Sequence, residues 1–107
     1  HNRFHKETPT LYLYGLIVQR GVFMDNIQQE LNIAVIGRVK ELCNEKGWTS
    51  RWLATQSGLS SKTVHQLMRK NDKQYISLTT VKKIADAFEM DLSTFFDTTA
   101  FRYHPQD

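Results

Sequence analysis

The 107-residue chain lacks the features of several large protein classes. Its single cysteine, Cys43, excludes a disulfide within the chain and is compatible with a reducing, cytoplasmic setting. The longest apolar runs, at residues 11–18 and 33–36, are far shorter than the roughly 18 residues that a membrane-spanning helix needs. No charged start precedes an apolar run and a small-residue cleavage site, so no secretory signal is expected.

Catalytic and metal-binding constellations are equally scarce. Four histidines are spread over positions 1, 5, 65 and 104, the carboxylates are scattered, and no glycine-rich phosphate loop occurs. Cys43 falls on the apolar stripe of a predicted helix, where an inert core thiol is favoured over a nucleophile. We therefore expect no enzymatic activity, no metal site and no cofactor.

Length and charge favour one domain with a basic surface. Hydrophobic residues make up 40% of the chain, which is sufficient for a modest core. The net charge of +3 is unevenly distributed: residues 1–37 are neutral, residues 38–83 carry +7 and residues 84–107 carry −4. The basic block suits a surface that binds phosphates, although charge alone does not distinguish it from an ordinary lysine-rich, solvated face.

Apolar residues recur with the spacing of amphipathic helices, which predicts five of them. The first starts between residues 25 and 31 and ends near Lys46. The second and third are predicted at residues 50–57 and 61–69, the fourth follows Ser77, and the fifth spans residues 92–96. The expected N-caps are Thr49, Ser60, Ser77 and Asp91. The residues expected in the core are Ile33, Ile36, Val39, Leu42 and Cys43 in the first helix, Leu78, Val81, Ile84, Ala85 and Phe88 in the fourth, and Trp48, Tyr75 and Ile76 between helices.

Residues 50–69 combine two short helices with a tight turn. Gly58 lies where the chain must reverse, and glycine adopts a positive φ angle without strain. Ser60 then offers an N-cap oxygen to the second helix. Together these features have the spacing of a helix-turn-helix. The apolar residues expected to face each other across the turn are Leu53, Ala54, Val64 and Leu67, with Leu59 in the corner.

At these positions the sequence resembles the phage-repressor/Cro-like (XRE-type) helix-turn-helix regulators. Residues 77–88 and 90–96 are similar to the fourth and fifth helices of that family. The resemblance implies an all-α, five-helix, lambda-repressor-like bundle, with an N-terminal extension at residues 1–30, the helix-turn-helix domain at 31–97 and a tail at 98–107. The residues that carry the match to the motif are Leu53, Ala54, Gly58, Leu59, Ser60, Thr63, Val64 and Leu67.

The N-terminal extension lies outside the resemblance. Residues 10–18 are rich in strand-forming side chains, which gives the extension strand character. Met24 is a candidate natural start, in which case residues 1–23 derive from a tag or from an upstream extension. An apolar arm must bury its side chains on its own domain or on a second copy, and we hypothesise an intersubunit contact. Phe101 and Tyr103 in the tail are candidates for packing on a partner or on this arm.

The helix at residues 61–69 is the expected DNA reader. On a helical wheel its polar residues Lys62, Gln66 and Arg69 lie opposite its apolar side. The resemblance implies base contacts from Ser61, Lys62 and Gln66, flanked by Thr63 and His65. Lysine can donate to guanine and glutamine can pair with adenine, so the chemistry of these side chains suits base reading.

Phosphate contacts are expected at helix starts and in the loop after the reading helix. The sequence departs from the family at Ser50, where a glutamine is frequent, and at Met68, where an acidic residue is common. A glycine that usually follows the reading helix is also absent. The phosphate-contacting candidates are Thr49, Ser50, Arg51, Ser60, Arg69, Lys70, Asn71 and Lys73, with Gln74 as a further one.

These observations predict a sequence-specific, double-stranded-DNA-binding transcriptional regulator, with repression favoured over activation. A homodimer on a near-palindromic operator is expected, because each half-site takes one reading helix. No membrane partner and no small-molecule ligand are evident. The alternative is an antitoxin or anti-repressor that uses the same fold to bind a protein, and the apolar arm and aromatic tail favour it.

Overall fold

The structure is a computed structural model, and it describes residues 26–69 and 74–105. The strand-like arm, Met24 and the loop residues Lys70, Asn71 and Lys73 lie outside the described residues. Within these ranges there is no strand, and the all-α, five-helix architecture is confirmed. The elements are α1 Asn26–Lys46, α2 Ser50–Ser57, α3 Ser61–Met68, α4 Leu78–Ala87 and α5 Leu92–Phe95, followed by a 3₁₀ helix at Thr99–Phe101.

The core is shared by all five helices. Each helix contributes at least one apolar side chain that is completely removed from solvent, and other buried or partly buried side chains fill the space around them. Trp48 packs as predicted, because its ring stacks on that of Phe88 with 4.6 Å between the centroids. The completely buried apolar side chains are Val39, Leu53, Val64, Ile84, Ala85 and Phe95.

In the buried stripe of α1 one predicted residue is exposed and two residues that were not predicted are buried. Ile33 is 69% exposed, whereas Asn32 and Val35 are buried. At about 100° per residue, Ile33 lies roughly 120° from the centre of the buried arc. Both Asn32 and Ile33 satisfy helical spacing from Ile36, and Asn32 takes the inward position because a partner for its amide lies there.

That partner is the main chain of Gln74. The Nδ2 group of Asn32 donates to the carbonyl oxygen of Gln74 at 2.6 Å, and its Oδ1 accepts from Nε2 of Gln28 at 2.9 Å. Nε2 of Gln74 in turn donates to the carbonyl oxygen of Leu67 at 3.3 Å. This network joins α1 to the C-terminal end of α3.

Arg38 joins α1 to α5. Its Nε donates to the carbonyl oxygen of Phe95 at 2.7 Å, and one terminal nitrogen donates to that of Thr94 at 2.9 Å. The other terminal nitrogen pairs with Glu41 at 2.9 Å. Free carbonyls at the end of a helix need such donors. The side chain of Arg38, counted in the basic block of the sequence, is therefore used inside the fold.

The helix ends follow their predicted caps closely. The side chains of Thr49, Ser60 and Ser77 each accept a hydrogen bond from the backbone N–H three residues later. Asp91 occupies the N-cap position of α5, but its side chain makes no capping bond. Two helices end one residue earlier than predicted, α3 at Met68 and α5 at Phe95.

Two predicted core residues before and within α4 are exposed. Leu78 is 62% exposed, because Cα–Cβ bonds tilt toward the helix N-terminus and the first side chain projects past the end of the core. Tyr75 is 72% exposed, while its neighbours Gln74 and Ile76 are partly buried. The side chains of this segment thus alternate, and Ile76 alone of the predicted pair packs against the core.

Part of the C-terminal tail belongs to the domain. The ring of Phe101 lies 5.0 Å from that of Phe96 and 6.3 Å from that of Phe95, measured between centroids. Phe101 therefore packs on the core of its own domain, and its expected contact with a partner or with the arm stays a prediction. Tyr103, in contrast, is 87% exposed.

Candidate nucleic-acid interface

The α2–turn–α3 unit is built by local chemistry. Oγ1 of Thr49 accepts from the N–H of Trp52 at 3.0 Å, which fixes the start of α2. Gly58 ends the helix with φ = 77°, and its N–H donates to the carbonyl oxygen of Ala54 at 3.1 Å. The apolar sides of the two helices then pack together, with Leu53, Ala54, Val64 and Leu67 buried and Leu59 partly buried against them.

The outer surface of α3 is polar and open to solvent. Because Val64 and Leu67 point into the core, every residue proposed to contact bases lies on the exposed side. Met68 is partly buried and packs against the core, so this departure from the family pattern adds an apolar contact to the fold. The exposed candidates are Ser61, Lys62, Thr63, His65 and Gln66.

Two hydroxyl groups at the start of α3 are coupled. Oγ of Ser60 accepts from the N–H of Thr63 at 3.0 Å and lies 2.8 Å from Oγ1 of Thr63, to which it donates. The hydroxyl of Ser60 is thus engaged in capping. The proton of Thr63 remains to be donated outward, and Thr63 is exposed.

The phosphate candidates fall into two groups. Thr49, Ser50 and Arg51 lie exposed at the first turn of α2, where backbone N–H groups and the helix dipole favour an anion. Arg69 is the exposed C-cap residue of α3, with extended backbone. Lys70, Asn71 and Lys73 lie outside the described residues, and the side chain of Gln74 is bonded to the carbonyl of Leu67 rather than directed to solvent.

The charged side chains in and around α2 and α3 are all basic. No aspartate or glutamate occurs between residues 46 and 71, and neither α2 nor α3 has an acidic residue in its first turn. Carboxylates in the first turn would stabilise these helices through the macrodipole but would repel phosphates. The five basic residues of this stretch are Lys46, Arg51, Lys62, Arg69 and Lys70.

Sequence reasoning assigned no role to three residues that bear on this surface. Asn32 anchors Gln74 and hence the end of the loop after α3, Arg38 is withdrawn from the surface, and Trp52 is exposed on α2. Asn32 is a polar residue at a position that the helical spacing of α1 places inside, and this pattern could have indicated a buried hydrogen bond. Nothing in the sequence near Arg38 indicates its bonds to the end of α5.

Other chemistry finds little support in the described residues. No group of three or more His, Cys, Asp or Glu side chains there could hold a metal ion. Cys43 is buried, and this burial raises the pKa of its thiol, which disfavours the nucleophilic thiolate. Among the helices described, none has both the length and the apolar character that crossing a membrane requires.

A comparison with protein families supports the interpretation of this site. The family model of the Cro/C1-type helix-turn-helix DNA-binding domain matches residues 38–100, which is more than half of the chain. Comparisons with curated proteins and with solved structures found no match. The matched range includes α2, the turn at Gly58, α3 and both following helices. The chain therefore belongs to the Cro/C1-type helix-turn-helix DNA-binding domain family.

Proposed function

We propose that this protein is a sequence-specific regulator of transcription that binds double-stranded DNA with α3 in the major groove, and that it represses. The observation that carries the proposal is the outer surface of α3. Five polar side chains are exposed there on a helix held by Val64 and Leu67, within 26 residues that contain no carboxylate. Such a surface suits the negatively charged groove of DNA.

The proposed base contacts follow from the chemistry of each side chain. Lys62 can donate to O6 and N7 of guanine, and Gln66 can pair with N6 and N7 of adenine. Ser61 and Thr63 carry hydroxyls that donate or accept, so they can contact several bases. His65 flanks this group on the exposed side.

Phosphate contacts would place α3 in register without reading sequence. We assign this role to the first turn of α2, with Thr49, Ser50 and Arg51, and to Ser60 and Arg69 at the two ends of α3; Ser60, whose hydroxyl is engaged in capping, would contribute through its backbone N–H. The hydroxyl of Thr49 accepts from Trp52, and its own proton is available for an anion. Lys70, Asn71 and Lys73, outside the described residues, complete the set.

A homodimer is the proposed DNA-binding form. Each protomer supplies one α3, and two such helices would occupy half-sites about 34 Å apart on a near-palindromic operator. We propose that residues 1–30 contribute to the contact between protomers, and that the protein acts in the cytoplasm. Sedimentation of the full chain and of a chain lacking residues 1–23, each with and without operator DNA, tests this arrangement. An unchanged number of chains per particle after the deletion contradicts the role of the arm.

Selection of bound duplexes from a random pool, at stated salt, tests the function. We expect one enriched, near-palindromic sequence. Substitution Lys62→Ala or Gln66→Ala should each lose about 1–3 kcal/mol of discrimination at one base pair of the half-site. Lys40→Ala, on the exposed side of α1, is the matched control and should leave the selected sequence unchanged.

The second candidate is a module that binds a protein, as an antitoxin or anti-repressor does. Its support is the exposure of Ile27, Leu31 and Ile33 in the N-terminal half of α1. A pool without enrichment, together with tight binding of a protein that is lost on Gln66→Ala, would favour this candidate over DNA reading. Weakening by Lys62→Ala that is equal on all duplexes would show that this residue contacts only the backbone.

A further inference from the structure

Trp52 is a large side chain that the fold leaves about half exposed. It is 47% exposed, and among the described residues its ring makes no aromatic or cation–π contact. The other tryptophan, Trp48, is stacked on Phe88. The exposed part of the indole leaves apolar area in water, which a contact with a partner would bury.

Helix stability does not explain an indole at this position. Trp52 is the third residue of α2 and donates its backbone N–H to the N-cap Thr49. A glutamate or glutamine in this position would bond back to the N–H of the capping residue, and an acidic group would also be stabilised by the helix dipole. The indole of Trp52 supplies neither interaction.

The neighbours of Trp52 indicate which partner it fits. Arg51, Thr55 and Gln56, its neighbours on the surface of α2, are all exposed and polar, so α2 itself adds no apolar residue beside Trp52 to form the kind of patch that docks proteins. No carboxylate lies within residues 46–71. An indole has one N–H donor and no acceptor, which matches a group that only accepts.

We propose that Trp52 contacts the sugar-phosphate backbone of DNA. Its Nε1–H donates to a phosphate oxygen, and its ring packs on the adjacent deoxyribose. This inference rests on the DNA-binding function proposed above and adds a residue to it. Because α2 packs on α3 through Leu53, a contact that holds α2 on the backbone also sets the angle at which α3 enters the groove.

The contact has a distinctive signature because the indole is uncharged. A neutral donor displaces no counterion, so its loss should weaken binding without changing the slope of log K against log salt. A lysine or arginine contact changes that slope. Backbone contact also predicts equal weakening on all duplex sequences.

Fluorescence anisotropy of labelled duplexes, titrated with the full chain at several salt concentrations, tests the proposal. We expect Trp52→Ala to bind about tenfold more weakly on specific and random duplexes alike, with an unchanged salt slope. Trp52→Phe keeps a ring but loses the N–H donor, so its affinity should lie between those of Trp52→Ala and the wild type. Arg51→Ala should reduce the slope, and Tyr103→Ala, an exposed aromatic in the acidic C-terminal region, should bind like wild type.

Thermal unfolding of Trp52→Ala and Trp52→Phe establishes that both variants fold. Wild-type affinity of Trp52→Ala, alongside normal DNA binding by the wild-type chain, would overturn the inference and leave the proposed function intact. A loss of affinity that depends on the identity of one base pair would also overturn the inference. So would a variant that no longer self-associates but keeps its affinity for DNA. Absence of any duplex binding by the wild-type chain would refute the proposed function and this contact together.

Discussion

At the scale of single residues, two polar side chains of α1 connect distant parts of the chain. Asn32 is buried and bonds the carbonyl of Gln74, and Arg38 bonds the carbonyls of Thr94 and Phe95. Buried polar groups must be paired, because an unpaired one keeps its full desolvation cost. These residues therefore determine how Gln74 and the end of α5 attach to α1.

Substitution Asn32→Ala should destabilise the protein by about 1–3 kcal/mol, because it leaves the carbonyl of Gln74 without its donor and opens a small cavity. Urea unfolding of the full chain measures this loss. Asn44→Ala, in an exposed position of the same helix, is the control and should change stability by less than about 0.5 kcal/mol. Equal effects of the two substitutions would mean that the Asn32–Gln74 bond contributes no net stability.

At the scale of elements, helix ends define the motif. Gly58 and Gly47 adopt positive φ angles of 77° and 69° after α2 and α1, and Glu89 adopts 58° after α4. The bond from the N–H of Met90 to the carbonyl of Ala85, at 3.0 Å, completes the end of α4. A left-handed residue is easy for glycine and strained for glutamate, so the end of α4 stores a small strain.

Two glycine substitutions should have opposite effects. A Cβ at Gly58 would meet no atom within 4 Å, so Gly58→Ala should cost only the backbone strain, about 1–2 kcal/mol. Gly37 lies inside α1, also with open space around it, and Gly37→Ala should stabilise by about 0.5–1 kcal/mol. Thermal unfolding of both variants checks the signs; destabilisation by Gly37→Ala would contradict the exposed helical setting of that residue.

At the scale of the whole molecule, charge is divided between surfaces. The basic stretch of residues 46–71 contains α2 and α3, while residues 84–107 carry net −4. Lys82 lies outside that stretch and is paired with Asp86, and Arg102 is paired with Asp97. These two ion pairs offset part of the positive charge that lies outside the helix-turn-helix.

This distribution predicts a specific dependence on salt. Arg69→Ala and Lys70→Ala should each weaken binding uniformly across sequences and lower the slope of log K against log salt by about 0.9. Lys82→Ala is the matched control, since its charge is already offset by Asp86, and its slope should stay that of wild type. Binding isotherms at four salt concentrations provide the measurement. A slope that falls equally for all three variants would assign the effect to net charge alone.

Most of the local structure could be predicted from sequence. The caps at Thr49, Ser60 and Ser77 and the turn at Gly58 depend on hydrogen bonds and φ angles within about four residues, which are encoded by neighbouring side chains. The exposed face of α3 follows from helical period, so its solvent-facing residues were also predictable. Their individual contacts with DNA stay predictions.

The sequence by itself determined the helices, the caps at Thr49, Ser60 and Ser77, and the family to which the chain belongs. Tertiary structure decided that Asn32 rather than Ile33 faces inward, that Arg38 is withdrawn from the basic surface, and that Phe101 closes the core. The partners in the first two cases lie 42 and 57 residues away along the chain. Spacing along a helix limits which side chains can be buried, but which of them is buried depends on distant partners that become neighbours only when the chain folds.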